Sequence, residues 1–210
     1  MFDAKEYESA CRSYAARWET SDKILYNVCK QFPGHKDLAG TIAKLWLIGR
    51  AYMTGIERQI KSNGMQSNSD QLADHIWGKR DDVDGILKNL ESVGEPLAEN
   101  NLKTIVQAQG QLLRIVKEIT YPRSPRSFVS KYLHFHCPAV PIYDMIVASV
   151  LTESVPWKKQ YELFPLQNDT DEEYGRFVFR FWQLYQLVPK TRNSVKLLDC
   201  YLWQKPILKG

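Results

Sequence analysis

Residues 127–151 read Ser127-Phe-Val-Ser-Lys131-Tyr-Leu-His-Phe-His136, then Cys137-Pro-Ala-Val-Pro-Ile-Tyr-Asp144, then Met145-Ile-Val-Ala-Ser-Val-Leu151. On a 3.6-residue wheel, Phe128, Val129, Tyr132, Leu133 and His136 share one side, and Ser127, Ser130, Lys131 and His134 share the other. Pro138 and Pro141 bracket a short connection. Asp144 follows at an N-cap position, ahead of the apolar run Met145, Ile146, Val147, Val150 and Leu151. The segment therefore predicts helix, tight turn, helix, with one amine and one carboxylate brought near a helix N-terminus.

The same periodicity extends along the chain. Amphipathic helices are predicted over 6–19 and, behind caps at Thr20, Ser21 and Asp22, to about Phe32. A long helix is predicted over 36–61, with Ile42, Leu45, Trp46, Tyr52, Met53 and Ile56 on one stripe and Gly49 allowing close packing. Shorter helices follow at 69–78 and 82–93, then longer ones at 98–119, 172–187 and 193–204. No alternating strand pattern and no repeat is present. The fold class is all-α, a compact multi-helix domain over 1–210, with a possible division into two helical subdomains at the polar stretch 62–70.

Composition narrows the class. Of the 210 residues 44% are hydrophobic and 12% aromatic, which excludes a disordered chain and supplies enough apolar surface for a core without disulfides or metal. The net charge of +4 permits nucleic-acid binding without demanding it. Cys11, Cys29, Cys137 and Cys200 are scattered, as expected of reduced thiols in a cytoplasmic protein. The N-terminus, Met1-Phe-Asp-Ala-Lys-Glu6, does not read as a signal peptide, and no apolar run reaches membrane-spanning length.

Asp144 has two compatible readings. Its carboxylate caps a helix, accepting amide hydrogen bonds, and it can also face a cleft and stabilise a cationic sugar or activate water. The polar face of the Ser127 helix is either solvated or turned to a cleft or to DNA. His134, His136 and Cys137 lack the spacing of a zinc site, so no metal is expected. No P-loop, dinucleotide fingerprint or Ser-His-Asp arrangement is present, and no cofactor is expected. Arg50 and Glu57, seven apart at the edge of the long stripe, read as a structural ion pair.

The turn Val140-Pro141-Ile142-Tyr143-Asp144 resembles the Val-Pro-x-Asp turn of the helix-hairpin-helix DNA glycosylases, in particular their 8-oxoguanine glycosylase-like branch, with one additional residue. The resemblance covers about thirty residues. It implies an all-α fold and cleavage of the bond joining a modified base to its sugar in double-stranded DNA. By it, Asp144 is the essential carboxylate, and Lys131 is either a phosphate contact or the nucleophile of strand-cleaving members. Pro122–Arg126 stands where the family has its Leu-Pro-Gly-x-Gly hairpin, and Lys131 lies nearer the aspartate than the family lysine. A compact member of this kind implies action on hypermodified phage bases such as glucosylated hydroxymethylcytosine. From Arg114 to Met145 five basic residues (Arg114, Lys117, Arg123, Arg126, Lys131) face two acidic ones (Glu118, Asp144). Arg123, Arg126, Ser127, Ser130 and His134 are the expected DNA contacts. Tyr132, Tyr143 and Trp157 are the candidate walls of a pocket for a flipped base. The competing expectation is a non-catalytic helical module for binding DNA or protein, in which Asp144 only caps its helix.

Overall fold

The computed structural model describes residues 2–61, 64, 67–156, 170–191 and 193–208. These form ten α-helices and two single 3-10 turns, and no strand occurs among them. The all-α expectation holds.

Helix α1 (Ala4–Arg17) starts at Asp3, whose carboxylate accepts the Lys5 and Glu6 amides at 2.9 and 3.0 Å. Trp18 joins it almost without a break to α2 (Glu19–Gln31). The expected cap at residues 20–22 is replaced by Trp18 itself, because Asp22 lies inside the first turn, its amide bonded to the Trp18 carbonyl at 3.0 Å. Its carboxylate turns into the protein, taking the hydroxyls of Tyr14 (3.0 Å) and Tyr52 (2.5 Å).

Helix α3 (Leu38–Ala51) ends ten residues short of the helix predicted over 36–61. Met53 (φ 44°) and Gly55 (φ 64°) both adopt left-handed backbone, which an α-helix cannot carry through. The 3-10 turn Ile56–Arg58 then returns Ile56 to the core and leaves Met53 87% exposed. Gly49 does serve close packing: a Cβ there would meet Ile56 Cγ2 at 3.3 Å. Arg50 Nε sits 3.1 Å from Glu57 Oε1, the expected ion pair.

Helices α4 (Asn68–Gly78), α5 (Arg80–Leu90) and α6 (Leu102–Thr120) follow. Helix α6 is the axis of the fold. It buries Leu102, Ile105, Val106, Leu112, Leu113 and Val116 against α4, α5, α7 (Arg126–His136) and α9 (Glu172–Tyr185). Each such side chain contributes about 1.5–3 kcal/mol of burial. The chain ends meet where α1 packs on α10 (Ser194–Leu208), which also packs on α8 (Met145–Ser154). A single cluster of buried apolar residues reaches all ten helices. The helices flanking 62–70, α3 and α4, pack on one another. Among the described residues, no helix is long and apolar enough to cross a membrane.

Candidate functional site: a two-lysine cleft

The connection between α7 and α8 is fastened by the side chains whose spacing predicted a DNA-facing surface. Ser130 Oγ accepts the Tyr143 amide at 2.9 Å and donates to the Ser127 carbonyl at 3.1 Å. His134 lies 2.8 Å from the Val140 carbonyl through Nδ1 and 2.5 Å from the Tyr26 hydroxyl through Nε2. That pairing assigns the Nδ1–H tautomer. Burial pushes its pKa down to about 3, with the Lys196 charge adding, so the ring is neutral. From the other side, Tyr174 donates to the Pro141 carbonyl at 2.7 Å. Pro138 and Pro141 lack amides, and these side chains satisfy the polar backbone groups that the tight turn buries. Ser130 and His134, both fully buried, are therefore staples of the turn and not DNA contacts.

The stapled turn fixes Asp144 against Lys131. The two carboxylate oxygens divide the two roles expected of the residue. Oδ1 accepts the Ile146 amide at 3.0 Å and caps α8. Oδ2 lies 3.6 Å from Lys131 Nζ. Lys131, only 4% exposed, also donates to Ser127 Oγ at 2.9 Å. Burial pushes its amine below the ordinary lysine value, with Asp144 and Asp199 opposing that shift and Lys196 adding to it. Lys131 is thus held inside a cleft and not on an open helix face.

Both residues line a cleft of about 370 Å³, at the small end of ligand pockets. Its walls come from places that local reading did not connect. Trp18 stands at the α1–α2 junction, Tyr52 and Met53 directly follow α3, and Lys196, Asp199 and Trp203 lie on α10. Lys196 is as buried as Lys131. Its Nζ is 3.0 Å from Asp199 Oδ2 and 3.9 Å from Asp22 Oδ2. Burial acts to lower its pKa, but Asp199, Cys200, Tyr52 and Asp22 outweigh that and raise it above the ordinary value. Lys196 is thus a fixed cation. Both amines lie near the Tyr52 ring, Lys131 Nζ 5.5 Å and Lys196 Nζ 4.9 Å from its centroid.

The other expected site residues lie elsewhere. Tyr132 is buried among Phe128, His35 and His136, and its hydroxyl is bonded to His35, which in turn holds Asp84 at 2.6 Å. Tyr143 is buried with its hydroxyl on Glu173. Neither lines the cleft, and Trp18, Tyr52 and Trp203 supply the aromatic surface there instead. Trp157 lies outside the described residues. Arg126 is committed to Asp171 (2.5 Å) and Glu173 (2.9 Å), which removes it from phosphate binding in this arrangement. Arg123 remains exposed beside Tyr121, its guanidinium donating to the Arg58 carbonyl. Ser127 is taken by Lys131. His134 and His136 point to different neighbours, and no group of three or more metal-ligating side chains occurs among the described residues.

No protein-family model, no curated protein and no solved structure matches this chain, so the chemistry of the cleft rests on its own residues.

Proposed function

We propose that the chain is a DNA glycosylase and that the Lys131–Asp144 cleft is its catalytic site. One observation carries the reading. A single carboxylate is tied by one oxygen into a helix cap and presents the other to a buried lysine, in a small cleft walled by aromatic residues. Capping makes the charge rigid, and a rigid charge aimed at a developing cation stabilises a transition state without reorganising.

In the proposed reaction the C1′–N bond breaks and its electron pair leaves on the base. Positive charge grows on the sugar, and Asp144 Oδ2 is the anion that faces it. A water oxygen adds to C1′, its proton passing to Asp144, and an abasic site remains. When the Lys131 amine adds instead, its lone pair forms the new C1′–N bond and the nitrogen passes a proton to Asp144; the C1′–O4′ bond then breaks, O4′ takes that proton, and the nitrogen lone pair forms the C=N bond of an iminium. The aromatic walls suit the flat face of an extruded base. The target is a modified base, with glucosylated hydroxymethylcytosine the first to test.

The test is release of abasic sites from duplexes carrying cytosine, hydroxymethylcytosine, its glucosylated form or 8-oxoguanine, with Asp144→Asn as control. Excision that survives in the variant overturns the mechanism.

A second reading is favoured by the rim. Trp18 (51% exposed), Met53, Met145, Ile146 and Trp203 (44% exposed) leave apolar surface open at or beside the cleft, as a site for a peptide does. If no duplex is cut and binding to DNA is absent at low salt, the cleft is a protein-interaction groove.

A further inference from the structure

Two buried amines share one aromatic ring, and they are not equivalent. Lys196 Nζ has two buried carboxylates, Asp199 at 3.0 Å and Asp22 at 3.9 Å, and Asp22 is itself locked by the hydroxyls of Tyr14 and Tyr52. Among the described residues, Lys131 Nζ has one carboxylate within 4 Å, that of Asp144 at 3.6 Å with its side chain 28% exposed, and one neutral hydroxyl, Ser127 Oγ. Placing two ammonium ions near one ring, both on side chains only 4% exposed, is costly. When one of them gives up its proton, the pairing decides that it is Lys131. Lysine nucleophiles are activated in this way, by burial and by a neighbouring cation.

We propose that Lys196 is a positioning residue: clamped by Asp199 and Asp22 beside the Tyr52 ring that both amines approach, it keeps the Lys131 amine available in its neutral, nucleophilic form. The proposal rests on the glycosylase reading only for the use made of that amine. It also extends the machinery of the cleft beyond the α7–α8 segment, since Lys196 and Asp199 belong to the last helix and Asp22 to the second. The charged or titratable groups around Lys131 are Asp144 at the start of α8, Lys196, Asp199 and Cys200 on α10, and Tyr52 with Asp22 behind it. Their signs give the proposal a signature. Removing the Lys196 charge leaves carboxylates in excess and makes Lys131 harder to deprotonate. Removing the Asp199 charge does the opposite.

The experiment is reductive methylation of the full chain by formaldehyde and a borane, with the rate at Lys131 followed by peptide mass spectrometry from pH 6 to 10. Wild-type Lys131 is expected to react with a midpoint below the ordinary lysine value of about 10.4. At pH 8, Lys196→Met is expected to slow the reaction by about threefold to tenfold and Asp199→Asn to speed it, a shift of about half to one pH unit in each direction. Lys196→Arg, which keeps the charge, stays within about twofold of wild type. Shifts of the same sign, or none, overturn the proposal. If Lys196→Met does not fold, Asp199→Asn and Lys196→Arg decide alone: acceleration in the first with little change in the second supports the proposal, and any other pattern overturns it. The labelling needs no DNA. A chain that shows the opposed shifts but makes no abasic sites overturns the glycosylase reading only, and an active glycosylase without them overturns only the role of Lys196.

Discussion

Asp144 Oδ2 and Lys131 Nζ lie 3.6 Å apart, one at the start of α8 and the other within α7, and they are held there by a turn that other side chains fasten. Because the partner oxygen Oδ1 caps α8, the structural and chemical contributions of Asp144 can be separated by substitution. Asparagine caps a helix about as well as aspartate. Asp144→Asn is therefore expected to unfold within about 1 kcal/mol of wild type in urea while base excision falls by about 10²-fold or more. Asp144→Ala should lose excision and about 1 kcal/mol of stability as well. Equal stability loss in both variants would show that the charge, not the cap, holds the turn.

Lys131 permits the complementary experiment. Among the described residues its only carboxylate within 4 Å is partly exposed, and the buried Asp199 keeps Lys196 at 3.0 Å, so removing the amine does not strand a buried anion. Lys131→Met is expected to fold with stability equal to or above wild type by thermal melting, yet to lose excision and any borohydride-trapped adduct with substrate DNA. An adduct that persists in Lys131→Met would move the nucleophile to another residue.

The elements of this site were unequally legible in the sequence. Lys131 and Asp144 fall within one helix–turn–helix, so spacing and capping preference alone place them together. Lys196, Asp199, Tyr52, Trp18 and Trp203 reach the cleft only through the packing of α10 and of the α3 end, and no local pattern reports that. A weaker signal was present. Lys196 and Asp199 sit three apart among Val195, Leu198, Tyr201 and Leu202, all buried, and charges inside an apolar stripe call for partners. The burial of Ser130 and His134 departs from the sequence pattern for a specific reason. A helical wheel assigns polar side chains to the outside, but here the Pro-bracketed turn buries the Tyr143 amide and the Val140 carbonyl, which need polar partners from α7. The long helix over 36–61 failed because the left-handed turn at Met53 and Gly55 leaves the apolar periodicity intact.

That reassignment predicts a stability effect where a DNA contact predicts a binding effect. Ser130→Ala leaves the buried Tyr143 amide without an acceptor and is expected to cost about 1–3 kcal/mol in urea unfolding. The dependence of DNA affinity on salt should stay unchanged, because no phosphate contact is removed. A slope that falls by about one in log Kobs against log salt, with stability intact, would return Ser130 to the DNA interface.

Acid stability follows from the buried histidines. Burial lowers the pKa of His35 to about 4, the Lys44 charge adding and Asp84 opposing, and that of His134 to about 3; His136 is pushed well below its ordinary value by burial, Lys44 and His35. The unfolded chain takes up these protons near pH 6.5, whereas the folded chain does not until it is far more acidic. The unfolded state therefore binds more protons through this window, and stability falls as pH falls from about 6.5 toward 4. Each excluded proton contributes about 1.4 kcal/mol per pH unit once the unfolded histidine is fully charged. Between pH 7 and 5, above the range of ordinary carboxylates, unfolding free energy is expected to drop with a slope that steepens toward about three protons. His134→Gln keeps a neutral polar side chain and should reduce the limiting slope by one proton, whatever its cost at pH 7. A flat profile from pH 7 to 5 would mean that the histidines are charged in the folded protein, and the Tyr26–His134–Val140 staple could not then be a neutral hydrogen-bonded chain.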